Sequence, residues 1–181
     1  MIRDVIAELK QQLGPLVAHP QSRASPALVF VFEKQVYKVF RNSQGAAFEK
    51  EKNAYIWLDK NIPEVIPTFK VVRVAGYNAL QLPRLTPLEI PEDAEERTEL
   101  KTRMTAVLRQ LWNHGREHGD VIITPDDTPD DTPSLLQIHK DNFMRDSENK
   151  IVLIDLEYFR EKADHYSEKS KWKLAQLPDP F

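Results

Sequence analysis

No cysteine occurs anywhere in the 181 residues. That excludes disulfides and thiolate metal sites, and it fits a reducing compartment. Glycine is scarce, with 5 in the chain and none between Gly14 and Gly45. No apolar run approaches the roughly 18 residues that suggest a membrane span, and the opening Met-Ile-Arg-Asp-Val-Ile-Ala-Glu has no apolar signal region. The expectation is a soluble, cytoplasmic protein with no membrane partner. No basic block is present either, and 25 basic against 28 acidic residues leave a net charge of −3. Nucleic acid is therefore excluded as a first expectation for a partner. What the chain does have is 41% hydrophobic content with 8 Phe, 5 Tyr and 3 Trp, enough for a core. Its length suits one domain or two small lobes sharing a cleft.

Apolar residues at Ile2, Val5, Ile6, Leu9 and Leu13 form a helical face that Gly14-Pro15 stops. Residues 27–32 and 35–40 are β-branched and aromatic and read as a hairpin around Glu33-Lys34. Lys38 interrupts the second of these strands. It shares a face with Val36 and Phe40, while Tyr37 and Val39 take the other, so both faces read as buried. A strand lysine usually points to water, but one held between apolar neighbours needs an anion, because an unpaired buried charge is very costly. Phe48, Glu51, Tyr55 and Leu58 then form one stripe of a helix over residues 46–59. Glu51 is the carboxylate on that stripe. It is either a boundary residue whose head reaches water or the partner of Lys38, and the second choice satisfies two awkward charges at once.

Residues 68–74 and 78–82 read as two further strands around Ala75-Gly76-Tyr77, completing a small antiparallel sheet. Pro83, Pro87 and Pro91 punctuate an extended connector. A helix is expected from Glu92, with the acidic turn Glu92-Asp93-Ala94-Glu95-Glu96 at the positive end of its dipole. Its inner face is Leu100, Met104, Val107, Leu108, Leu111 and Trp112, and Gly115 ends it. The tandem repeat Thr124-Pro-Asp-Asp-Thr128-Pro-Asp-Asp-Thr132-Pro133 has no apolar residue and reads as a solvated loop. A short helix is expected over residues 163–174.

The densest chemistry lies in Gln137-Ile138-His139-Lys140-Asp141-Asn142-Phe143-Met144, followed by Ile151-Val152-Leu153-Ile154-Asp155. A first strand ending in polar ligands and a second ending on a carboxylate, joined by a turn at residues 145–150, read as a hairpin. Asn142 and Asp155 can hold a divalent cation, since Mg²⁺ takes oxygen ligands and often only one or two from protein beside substrate phosphates. The competing reading is a hairpin in which Asp155 merely caps a strand.

In this order, these pieces resemble the protein-kinase-like superfamily over residues 25–158. Val36-Tyr37-Lys38 is similar to the strand whose lysine holds the nucleotide phosphates, and Glu51-Lys-Asn-Ala-Tyr55-Ile-Trp-Leu58 is similar to the glutamate helix. Leu80-Gln-Leu82 takes the place of the hinge strand. Ile138 to Met144 resembles the end of the catalytic loop, and Ile154-Asp155-Leu156-Glu157 stands where Asp-Phe-Gly would. The resemblance implies an α+β, minimal two-lobed fold. Its N-lobe (residues 1–82) would carry a small antiparallel sheet with one helix, followed by a connector (83–91) and a reduced helical C-lobe (92–181). It further implies an ATP-dependent serine/threonine protein kinase, with Lys38 and Glu51 binding the nucleotide, Asn142 and Asp155 binding Mg²⁺, and Asp141 as the base beside His139.

The pattern departs from the family in three places. The loop expected to cover phosphate lacks glycine, leaving residues 21–25 with Arg23 and two serines for that role. The family places its base aspartate about five positions before the asparagine, where this chain has Gln137. Two replacements are open. His139-Lys140-Asp141 gives a compressed loop, whereas His118-Gly119-Asp120 requires an insertion over residues 121–137 and otherwise reads as a helix-exit turn. Asp141 is preferred because it needs no insertion beside the phosphates. Thirdly, no Ala-Pro-Glu follows Asp155. Minimal kinases of this sort occur among bacterial effectors, so the resemblance implies a host-protein substrate and secretion into a host cell. A binding module without turnover and a small-molecule phosphotransferase are the rival readings.

Overall fold

The computed structural model describes residues 2–18, 26–118, 142–156 and 159–161. It divides into two compact units, Met1–Thr86 and Pro87–Phe181.

In the first unit, α1 (Ile2–Leu13) is followed by β1 (Ala27–Val31), β2 (Gln35–Phe40), α2 (Gly45–Asn61), β3 (Lys70–Val74) and β4 (Tyr77–Pro83). The strands form one antiparallel sheet in the order β1-β2-β4-β3. β2 is therefore an inner strand, with Lys38 opposite Val29 on one side and Leu80 on the other. Alternation of side chains along each strand gives the sheet two apolar faces. On one face, Leu28, Phe30, Tyr37, Val39 and Ala79 pack with Val5 and Leu9 of α1. Burial there pushes the Tyr37 hydroxyl above its ordinary pKa. That hydroxyl donates to Gln35 Oε1 at 3.0 Å, and Gln81 Nε2 donates to the same oxygen at 2.8 Å. On the other face α2 buries Phe48, Glu51, Ala54, Tyr55 and Leu58, with Phe48 packed edge-on against Phe40. Among the described residues the unit thus carries both α-helices read from the sequence, whereas the resemblance implied one beside the sheet; a sheet that is apolar on both faces needs two covers.

β3 and β4 join through Ala75 and Gly76, both in the left-handed region at φ 48° and 81°. Such a two-residue turn matches the twist of the strands. The Ala75 amide donates to Glu8 Oε2 at 2.7 Å, tying the turn to α1. An alanine there carries a left-handed cost of about 1–2 kcal/mol that asparagine largely avoids. Ala75→Asn is expected to raise unfolding stability by about 1 kcal/mol. A urea midpoint that stays put or falls would contradict that assignment of the turn.

The second unit opens at the short strand β5 (Thr86–Pro87), which lies where the units divide. Its helix α3 runs over Ala94–Asn113, so the expected start at Glu92 is two residues early. Asp93 is the cap rather than a helical residue: its Oδ1 accepts from the amides of Glu95 at 2.9 Å and Glu96 at 3.0 Å. The Glu96 and Glu95 amides hold its carboxyl below the ordinary aspartate range. Leu100, Met104, Val107, Leu108 and Leu111 are buried as the periodicity requires, and the side chain of Trp112 lies outside the described set. Gly115, at φ 68°, ends the helix. β6 (Arg116–His118) pairs antiparallel with β9 (Phe159–Glu161), and β7 (Phe143–Arg145) with β8 (Ile151–Leu153). The repeat at 124–133 and the helix expected at 163–174 lie outside the described residues.

Candidate functional site

Lys38 and Glu51 meet. The Lys38 ammonium lies 2.9 Å from Glu51 Oε1 and 2.8 Å from Oε2, so the carboxylate takes the cation with both oxygens. The glutamate side chain is 1% exposed and the lysine 12%. The ammonium also lies 5.8 Å from the centre of the Phe40 ring, within the range of cation–π attraction. Local sequence explains the pairing. Strand alternation aims Lys38 at the face that α2 covers, and helical periodicity places Glu51 among Phe48, Ala54, Tyr55 and Leu58. The water-seeking alternatives for both residues are thereby set aside. A buried pair of this kind has little net stabilising value, yet removing one partner takes a buried counter-charge from the other.

The second constellation stands on the β7–β8 hairpin. Phe143 is opposite Leu153, and the Ile154 amide donates to the Asn142 carbonyl at 2.8 Å. That bond continues the ladder one step past β7. Asn142 and Asp155 therefore emerge together at the open end of the hairpin, one opposite Ile154 and the other directly after it. The first strand begins after Asn142 rather than ending in the polar residues before it. Arg145 belongs to β7, and the turn is held by Asp146, whose Oδ1 accepts from the amides of Glu148 and Lys150, each at 2.9 Å. Arg103 of α3 anchors the turn through the Asn149 carbonyl at 2.7 Å.

Two features mark this open end. Asp155 has φ 57°, a left-handed conformation uncommon for any residue but glycine, although aspartate and asparagine tolerate it best. Asn142 is 6% exposed, and its Nδ2 is buried without a hydrogen-bond partner. A buried polar atom left so costs about 1–3 kcal/mol. Turned end for end, the same amide places a carbonyl oxygen at that position. Among the described residues no group of three or more His, Cys, Asp or Glu can hold a metal by itself. Two oxygen donors, one neutral and one anionic, nevertheless suit Mg²⁺ that completes its shell with phosphate and water. The residues fit that ion. Asn142→Leu is accordingly expected to leave urea stability unchanged or higher, while removing whatever the divalent ion supports. A loss of more than about 2 kcal/mol in stability would make Asn142 a structural residue instead.

His139 and Asp141 lie outside the described residues, as do Gln137, Asp120, Glu157 and the 21–25 segment. Two pairings near them went unread in the sequence. His118 is a strand residue opposite Phe159, not part of a helix-exit turn, and Arg116 forms an ion pair with Glu161 at 2.8 Å. Ala18 makes an antiparallel bridge with Val31, and the Val17 amide donates to the Val31 carbonyl at 2.8 Å. No apolar alternation announces β6, and a single bridge leaves no periodicity at all. Among the described residues no helix is long and apolar enough to cross a membrane.

No family model and no curated protein matches the sequence. Solved structures do match its backbone. WbdD bound to the kinase inhibitor LY294002 is 18% identical at a TM-score of 0.50, covering 83% of this chain and 34% of that one. A structure of the bifunctional kinase-methyltransferase WbdD is 15% identical at 0.50, covering 90% and 38%. The Legionella pneumophila Lpg2603 kinase bound to IP6 is 16% identical at 0.49, covering 87% and 55%, and the fold assignment rests on the other two. This chain spans about a third of the length of the WbdD chains. It has a divergent protein-kinase-like fold.

Proposed function

We propose that the protein is an ATP-dependent phosphotransferase, of the serine/threonine protein kinase type, acting on a protein hydroxyl. The observation that carries this reading is the two-oxygen contact of Lys38 with Glu51 on an inner strand of a kinase-like sheet. An ammonium so oriented can face phosphate oxygens while Glu51 fixes its direction. Asn142 and Asp155 would hold Mg²⁺, which when bound neutralises charge on the β- and γ-phosphate oxygens. The acceptor oxygen attacks the γ-phosphorus, the bond to the β–γ bridging oxygen breaks, and ADP leaves. The hydroxyl proton passes to the carboxylate of Asp141, oriented by His139. Much of the rate comes from positioning and charge stabilisation, with the base contributing about 10²–10⁴-fold. The host-protein target and effector role rest on the resemblance to minimal effector kinases.

One observation favours a second choice of base. Because His118 is paired with Phe159, the His118-Gly119-Asp120 run leaves a strand that is bonded to the segment following Asp155. Asp120 is therefore the alternative to Asp141. Incubating the chain with γ-labelled ATP, Mg²⁺ and a host lysate tests both points. Label on protein is expected from wild type and from Gln137→Ala, and its loss from Asp141→Ala. Loss from Asp120→Ala alone moves the base to Asp120. Nucleotide binding with no transfer to any protein makes the chain a binding module, and label on small molecules alone makes it a small-molecule phosphotransferase.

A further inference from the structure

The sheet residue that carries the proposed chemistry is gripped from behind. Tyr37 and Val39, the chain neighbours of Lys38, point to the opposite face and are buried in one cluster with Val5 and Leu9 of α1. A strand's two faces share a single backbone, and close-packed interiors transmit displacement rather than absorb it. Where Tyr37 and Val39 sit therefore sets where the Lys38 Cα sits between them.

α1 has three attachments to this sheet. Val5 and Leu9 are 0% and 1% exposed, and the half-buried Glu8 accepts from the Ala75 amide at 2.7 Å. Beyond Gly14, the Val17 amide bonds the Val31 carbonyl, which ties the exit of α1 to β1, the neighbour of β2. A helix of 12 residues is marginal in water by itself. It is formed when docked, so its docking is a two-state element that can bias whatever the sheet holds.

We propose that α1 is a positioning element for Lys38: docked through Leu9 and Glu8 on the face of the sheet to which Tyr37 and Val39 point, it holds the ammonium in its contacts with Glu51. The importance of Lys38 for phosphate rests on the function proposed above, but the pair itself can be read without nucleotide.

The test is competitive acetylation of the full chain with sulfo-NHS-acetate. The rate at Lys38 is measured by peptide mass spectrometry relative to exposed Lys70, with each variant held equally far below its melting point. Leu9→Ala is expected to raise the Lys38-to-Lys70 ratio by about fivefold or more, the lower range of typical coupling. Leu9→Met should restore it. Val65→Ala, buried in the same unit but outside the core cluster that Val5 and Leu9 join, should stay near wild type. Equal ratios in Leu9→Ala and Val65→Ala, whether raised or unchanged, overturn the proposal. Should Leu9→Ala fail to fold, Glu8→Ala takes its place, with a smaller rise expected and no rise overturning the proposal. Adding Mg·ATP to wild type tests the functional reading separately. Failure of the nucleotide to protect Lys38 counts against that reading and leaves the comparison of variants standing.

Discussion

Replacing Lys38 with alanine is expected to lower phosphoryl transfer by roughly 10²–10³-fold, the usual loss when one preorganised electrostatic donor is removed. The lysine is nearly buried against the Glu51 carboxylate, and β2 carries no other basic residue that can take its place. Arginine is no substitute either. Its planar fork needs more room than a compact ammonium and would direct its donors elsewhere. Lys38→Arg should fall with Lys38→Ala rather than with wild type. Because either change leaves Glu51 without this counter-charge in a buried setting, circular dichroism and a urea titration must accompany the kinetics. A folded Lys38→Ala protein that transfers phosphate at the wild-type rate would remove Lys38 from the chemistry.

Asp155→Asn is the second large effect. A metal ion typically supplies several kcal/mol of charge stabilisation in such transfers, so a loss of roughly 10³-fold is expected at a Mg²⁺ concentration that just saturates wild type. Asparagine is the informative replacement because of the backbone. At φ 57° an alanine would add left-handed strain, whereas asparagine tolerates that region as aspartate does. The substitution therefore removes charge while sparing the turn. Raising Mg²⁺ should recover part of the rate if the residue binds metal. A loss that no metal concentration relieves would instead mark Asp155 as a structural cap.

Much of this arrangement was legible in the sequence where two periodicities intersect. Lys38 stood out because strand alternation gave it apolar neighbours on both faces, and Glu51 because helical spacing put a carboxylate on an apolar stripe. Those conflicts with binary patterning resolve each other in the fold. The hairpin bearing Asn142 and Asp155 was legible from its aliphatic run, although its first strand was placed too early. Polar residues before a strand and polar residues ending one look alike until the ladder is seen. The start of α3 was misplaced because five residues from Glu92 to Glu96 include four carboxylates that all suit a helix N-terminus. Only the short reach of Asp93 to two amides decides which one caps. The β6–β9 pair was illegible for a different reason. Arg116-Glu117-His118 has no apolar alternation, and its partner lies far along the chain, so the strand exists through tertiary pairing rather than local preference.

Calorimetric titration of ATP, with and without Mg²⁺, into wild type, Lys38→Ala and Asp155→Asn asks most directly whether these residues serve one ligand. Wild type should bind ATP more tightly with Mg²⁺ than without it. Lys38→Ala should bind more weakly in both conditions, and Asp155→Asn should lose the gain from Mg²⁺ while keeping its metal-free affinity. Identical isotherms for all three proteins, or no binding of ATP to wild type, would contradict the account.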